Sequence, residues 1–162
     1  MRIGVISDTH IPDRAEGIPK QILEDFKKVD MIIHAGDLVD LEVITQLKAA
    51  CPNIKAVYGN MDGLEARRAF KEKEIIKIGK YKVGIMHGYG APNKLVDLMS
   101  EAFKKDDVDI VIFGHSHTAI NQTQNGVIFF NPGSPTDKVF STYNSYGIIE
   151  INDKIEAKII KI

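Results

Sequence analysis

Apolar and polar positions follow two rhythms along this chain, and each rhythm predicts elements. Arg2–Ser7, Met31–His34 and Ile54–Tyr58 are short, nearly unbroken apolar runs, the pattern of strands buried on both faces. Between them, Ile18, Ile22, Leu23 and Phe26 fall on one helical face. Leu41, Ile44 and Leu47 fall on another, with Asp40 placed to cap that second helix. Strand, loop and helix in repetition predict parallel pairing through crossover helices. The middle of the chain changes character. Glu74–Ile78 and Tyr81–Met86 read as a hairpin turning at Gly79-Lys80. Asn93 is placed to cap a helix whose stripe is Leu95, Leu98, Met99, Ala102 and Phe103, and Asp109–Phe113 is a further buried strand. Ala119–Gln124 and Val127–Phe130 flank Asn125-Gly126, a strong hairpin signal, and Tyr146–Ile151 with Lys154–Ile160 predicts a last hairpin at Asn152-Asp153. No linker, repeat or low-complexity stretch interrupts the pattern. One α/β domain over residues 1–162, with two sheets, is the economical reading.

Composition narrows the function classes. With 162 residues, 44% of them apolar and 27% charged, the chain suits one globular domain. Its net charge of -1 gives no general attraction to nucleic acid or an anionic membrane, so an anionic substrate must be drawn by local charge. Cys51 is the single cysteine, which rules out an internal disulfide and suits a reducing compartment. The run Ile3 to Ile6 is too brief for a signal-peptide core, and no segment approaches the roughly 18 apolar residues of a membrane span. A cytoplasmic location is the expectation.

The chemistry stands just after the strands. Asp8-Thr9-His10 follows the first, Gly36-Asp37 the second and Gly59-Asn60-Met61-Asp62 the third. His87-Gly88 follows a middle strand, and Gly114-His115-Ser116-His117 the next. Ligands of open α/β sheets bind beyond the carboxyl ends of strands, so these side chains are placed to converge. Taken singly, each has a plainer role: Asp8 and Asp37 as helix caps, Asn60 as a turn residue, His87 as a core histidine bonded to backbone. Four of the five histidines share these loops, however, and packing does not account for that concentration. Carboxylate and imidazole together, without thiolate, suit a borderline divalent ion such as Mn, Fe, Co, Ni or Zn.

The ordered set Asp-x-His, Gly-Asp, Gly-Asn-x-Asp, His-Gly and Gly-His-x-His resembles the calcineurin-like metallophosphoesterase superfamily, and its spacing resembles the small bacterial and archaeal phosphodiesterase branch. The match runs from Asp8 to His117, and Asn131-Pro132-Gly133-Ser134 resembles that branch's terminal motif. The resemblance implies two mixed β-sheets packed face to face, flanked by helices, with the site at one edge of the sandwich. It implies two divalent metal ions, manganese first: Asp8, His10 and His117 on one, Asn60, His87 and His115 on the other. Asp37 would bridge them, each of its oxygens taking one cation. Hydroxide shared by the ions would attack phosphorus, with Asp37, Asn60 and His87 as the catalytic group. The implied partner is a small-molecule phosphate ester, and a homo-oligomer is admitted because small members of the branch often self-associate.

Other residues receive lesser roles. His34 reads as a packed or supporting histidine, Asp62 as an orienting or turn residue, and Arg14 and Lys138 as surface charges within reach of a phosphate. Many monoesterases of the superfamily carry histidine directly after the motif asparagine, where this chain has Met61. That substitution favours diesters. Two alternatives stand beside the phosphodiesterase: a monoesterase acting on nucleotides or phosphoproteins, and a non-catalytic scaffold like the retromer subunit of the same fold. The chain resembles that subunit around His10-Ile11-Pro12-Asp13-Arg14.

Overall fold

The apolar runs become the buried strands they predict, in a computed structural model that describes residues 1–162. In order the elements are β1 (Arg2–Ile6), α1 (Lys20–Phe26), β2 (Met31–His34), α2 (Glu42–Ala50), β3 (Ile54–Ala56), α3 (Leu64–Ala69), β4 (Lys73–Ile78) and β5 (Tyr81–Met86). There follow α4 (Leu95–Ala102), β6 (Ile110–Ile112), β7 (Ile120–Gln124), β8 (Val127–Asn131), β9 (Ser145–Ile151) and β10 (Ile155–Lys161). They build two mixed five-stranded sheets, ordered β10-β9-β1-β2-β3 and β4-β5-β6-β8-β7. β1, β2 and β3 run parallel, as do β5, β6 and β8. No helix is long and apolar enough to cross a membrane.

Alternation along each strand sorts side chains into three apolar layers. Ile3, Val5 and Ile33 of the first sheet meet Val83, Ile85 and Ile112 of the second between the sheets. Ile6, Ile32 and Tyr146 face outward under α1 and α2, while Val111, Phe113 and Phe129 face outward under α4. Each fully buried aliphatic or aromatic side chain contributes about 1.5–3 kcal/mol relative to exposure. Two strand glycines let the helices approach. A Cβ on Gly4 would stand 2.6 Å from the Phe26 ring, and one on Gly84 would stand 2.5 Å from Phe103. Both outer layers therefore use the same device, a phenylalanine laid over a side-chain-free strand position.

Local differences from the sequence reading have simple causes. Asp40 does accept the Glu42 N–H at 2.8 Å, but Val43 rather than Leu41 packs in the core. Asn93 lies inside a 3-10 turn, Pro92–Lys94, and does not cap α4. Helix α3 was not legible, because Ala66 is its only buried residue and Leu64 is 72% exposed, leaving no apolar stripe. The turn at Asn125-Gly126 has both residues at positive φ, 51° and 83°, as a tight hairpin requires.

Candidate metal centre

The parallel strands carry their following loops to one edge of the sandwich: Asp8 and His10 after β1, Asp37 after β2, Asn60 after β3, His87 after β5, and His115 and His117 after β6. The backbone there is constrained. Of eight non-glycine residues at positive φ, five are Asp8, His10, Asp37, His115 and His117. Such conformations cost on the order of 1–3 kcal/mol each and persist where surrounding structure holds them. Glycines admit the close approach: a Cβ on Gly59 would run into the Asp37 carboxylate, and one on Gly114 into Ser7 Oγ and Asp8 Oδ2.

Two clusters of ligand-type atoms result, Asp8/His10/His117 and Asp8/Asp37/His87. In the first, His10 Nε2 and His117 Nε2 face each other at 3.1 Å, and Asp8 Oδ1 lies 3.4 Å from His117 Nε2. In the second, His87 Nδ1 donates to the Ala35 carbonyl at 2.7 Å, which turns Nε2 toward Asp37 Oδ2 at 3.2 Å and Asp8 Oδ1 at 3.7 Å. That Nε2 is buried and has no hydrogen-bond partner. Beside this cluster, His115 Nε2 donates to the Gly90 carbonyl, leaving Nδ1 to face Asn60 Oδ1 at 2.9 Å. At His87 the lone pair of Nε2 faces a carboxylate oxygen, and at His115 that of Nδ1 faces Asn60 Oδ1, arrangements that call for an added proton or a shared cation; between the other pair, His10 Nε2–H can donate to His117 Nε2. Asp8 and Asp37 are almost wholly buried, and an unpaired buried carboxylate costs several kcal/mol. The donor set therefore fits divalent cations. Without them, burial opposes charging of His87, but the Asp8 and Asp37 carboxylates push its pKa up to about 9.

The structure places Asp8 in both clusters, so it stands as central as Asp37. Asp37 Oδ1 accepts the Met61 N–H at 2.8 Å, and Oδ2 lies 3.2 Å from His87 Nε2 and 3.6 Å from His10 Nε2.

Supporting residues hold these groups in place. Asp62, buried, accepts backbone N–H groups from Asp37, Val39 and Gly59 at 2.7–2.9 Å, and so orients the Asp37 loop. His34 accepts the Gly36 N–H on Nδ1 and donates from Nε2 to Thr9 Oγ1. It joins neither cluster, and burial drives its pKa down to about 3. Asn131 donates to the Gly114 carbonyl and Ser134 to the Asp8 carbonyl, which ties the terminal motif to two site loops. Asp137 had no place in the sequence reading. Its buried carboxylate accepts His117 Nδ1–H at 2.7 Å, which leaves Nε2 free for a cation.

A pocket of about 710 Å³ opens over the site, lined by His10, Asp37, Asn60, His115 and His117 together with Arg14, Met61, Pro92 and Phe140. His87 lies beneath it and lines a smaller recess behind. Arg14 reaches the pocket wall, 3.9 Å from Asp137 Oδ1, whereas Lys138 borders a separate surface recess.

A calcineurin-like phosphoesterase superfamily domain matches residues 1–154. A Methanocaldococcus jannaschii protein named a probable metallophosphoesterase is 40% identical over 166 residues, covering 100% of this chain and 82% of that protein. A phosphodiesterase of the same organism is 33% identical over 145 residues, covering 82% of this chain and 83% of its own length. Among solved structures, Vps29 of Entamoeba histolytica complexed with Zn2+ is similar at a TM-score of 0.78 and 28% identity, over 99% of each chain.

Proposed function

Because the chain belongs to the calcineurin-like phosphoesterase superfamily, we propose that it is a phosphodiesterase of one domain, residues 1–162, working with two divalent metal ions, manganese first among those suited. The observation that carries the proposal is the orphaned His87 Nε2, turned toward the buried carboxylates of Asp8 and Asp37, the second of which lines the open pocket. Asp8, His10 and His117 would hold one ion, Asn60, His87 and His115 the other, with Asp37 between them. When bound, the ions supply Lewis acidity, lowering the pKa of water and offsetting charge on phosphoryl oxygens. The chain's own part is to fix the donors. Ala35 and Asp137 set the tautomers of His87 and His117, Met61 N–H holds Asp37 Oδ1, and Asp62 holds the loop beneath.

The preference for diesters rests on Met61, which lines the pocket and is 57% exposed. A monoester is dianionic near neutral pH and gains from a proton donor or extra positive charge as its leaving oxygen departs, and Met61 supplies neither. A diester carries one negative charge and depends less on such help.

The test is hydrolysis of aryl diesters and matching monoesters by protein loaded with Mn, Ni, Co, Zn or Mg, with bound metal counted on the same samples. Two ions per chain and a higher kcat/KM on the diesters are expected, and Met61→His should raise monoester hydrolysis. A tenfold preference for monoesters, about 1.4 kcal/mol in transition-state stabilisation, would overturn the diester assignment. Metal uptake without hydrolysis of any ester would favour a protein-binding scaffold, the reading that the likeness to Vps29, itself solved with Zn2+, supports.

A further inference from the structure

We infer that the pocket selects phosphate esters that carry one flat, π-faced substituent, held against Phe140; this deepens the phosphodiesterase reading and rests on it. Phe140 is 66% exposed although it lies beside a polar, partly buried site. Its loop is anchored. Val139, Phe140 and Ser141 donate backbone N–H groups to the Asp137 carboxylate at 2.9–3.1 Å, and Ser141 Oγ donates to the His117 carbonyl at 2.9 Å. The ring is braced as well. It stands edge to face with the imidazole of His117, centroids 5.9 Å apart at 77°, and the Arg14 guanidinium sits over the Phe140 ring, 5.7 Å from its centroid. An exposed aromatic ring on a fixed backbone, in contact with a candidate metal ligand, presents a stacking surface whose ordering cost is already met on folding.

Chemistry and space agree with that use. The volume of about 710 Å³ far exceeds what a phosphate needs, so the pocket has room for ester substituents. Beside Asn60 and His115 the lining includes Met61, Gly90 and Pro92, with no Phe or Tyr among them, whereas Phe140 and Arg14 stand beside His117. The two substituents of a diester therefore meet unlike surfaces, and a flat group gains most from the second, where guanidinium and ring stand together. Simple arenes and nucleobases share the required π face.

The probes are methyl phosphate, phenyl phosphate and thymidine 5′-monophosphate, with binding to manganese-loaded protein measured by calorimetry. Both flat ligands should bind about tenfold tighter than methyl phosphate, within the range that aromatic stacking supplies. Phe140→Ala should remove that difference through loss on the flat ligands, and Phe140→Tyr should keep it. A stronger response to thymidine monophosphate than to phenyl phosphate assigns a nucleoside as the natural substituent, and the reverse order a simple arene. Equal affinity for the three ligands in the wild type, or equal loss on all three in Phe140→Ala, overturns the inference. If such a protein still hydrolyses bis(p-nitrophenyl) phosphate, the phosphodiesterase reading survives without it. A preference for flat ligands at Phe140 in a protein that hydrolyses no ester breaks the phosphodiesterase reading and leaves the binding surface.

Discussion

The carboxylate of Asp137 serves two structures at once, fixing the ring of His117 and folding the loop that carries Phe140. Asp137→Asn replaces an obligate acceptor with an amide that can present a donor to Nδ1, so the imidazole no longer has a single favoured tautomer. Metal affinity should fall about 10–100-fold, as measured by calorimetric titration. An unchanged affinity would show that His117 is oriented by packing alone. Nothing in the residue pattern marks this position, because Asp137 follows His117 by 20 positions and is one of 22 acidic residues. His34 carries a different prediction. Buried and neutral, it takes a proton only near pH 3, whereas the unfolded histidine takes one near its ordinary value of 6.5. The folded pKa is depressed, so stability is intact above pH 6.5 and falls as pH drops from there toward 3. His34→Asn should flatten that part of the pH profile in urea unfolding at pH 7 and pH 5. A slope equal to the wild type would assign the acid sensitivity to other groups.

At the scale of elements, the loops after β2 and β3 are joined through Asp62. Val39 is β-branched and sits at φ 76°, where only a strong tether keeps it, and its N–H donates to Asp62 Oδ1 at 2.8 Å. Asp62→Ala would leave three buried or half-buried N–H groups without their charged acceptor, at a cost of roughly 3 kcal/mol. Urea unfolding in the presence of chelator would measure this free of any metal contribution, and a loss under about 1 kcal/mol would mean that water or a shifted loop replaces the carboxylate. The strands and the three hairpins were legible in the sequence because buried strands leave unbroken apolar runs and tight turns need particular residues. The short helix α3 was not, since it buries one alanine and its place depends on Arg67, which donates to the carbonyls of Asp62, Gly59 and Asn60.

For the molecule as a whole, buried carboxylates gathered at one edge mean that folding assembles a site of excess negative charge, and cations that bind it should stabilise the native state. At a free metal concentration of 100 times Kd the gain is about 2.7 kcal/mol, on the order of 5–10 °C in Tm for a chain of this size. Thermal unfolding with manganese, then with chelator, would read this shift, and Asp37→Asn should lose most of it. A wild-type Tm indifferent to metal would contradict the centre proposed here. The features legible in the residues alone are local: the order of strands and hairpins, the α/β class, and the placing of Asp, Asn and His directly after strands. These follow from burial and turn chemistry, which act over a few residues and leave periodic marks. Which of those side chains face one another is set by the packing of the folded chain. His10 and His117 meet across 107 positions, Asp8 reaches both clusters, one oxygen of Asp37 is taken by a backbone N–H, and Asp137 stands behind His117. Those facts depend on strand order, register and the packing of one sheet on the other, and long-range geometry of that kind leaves no period in the chain to read.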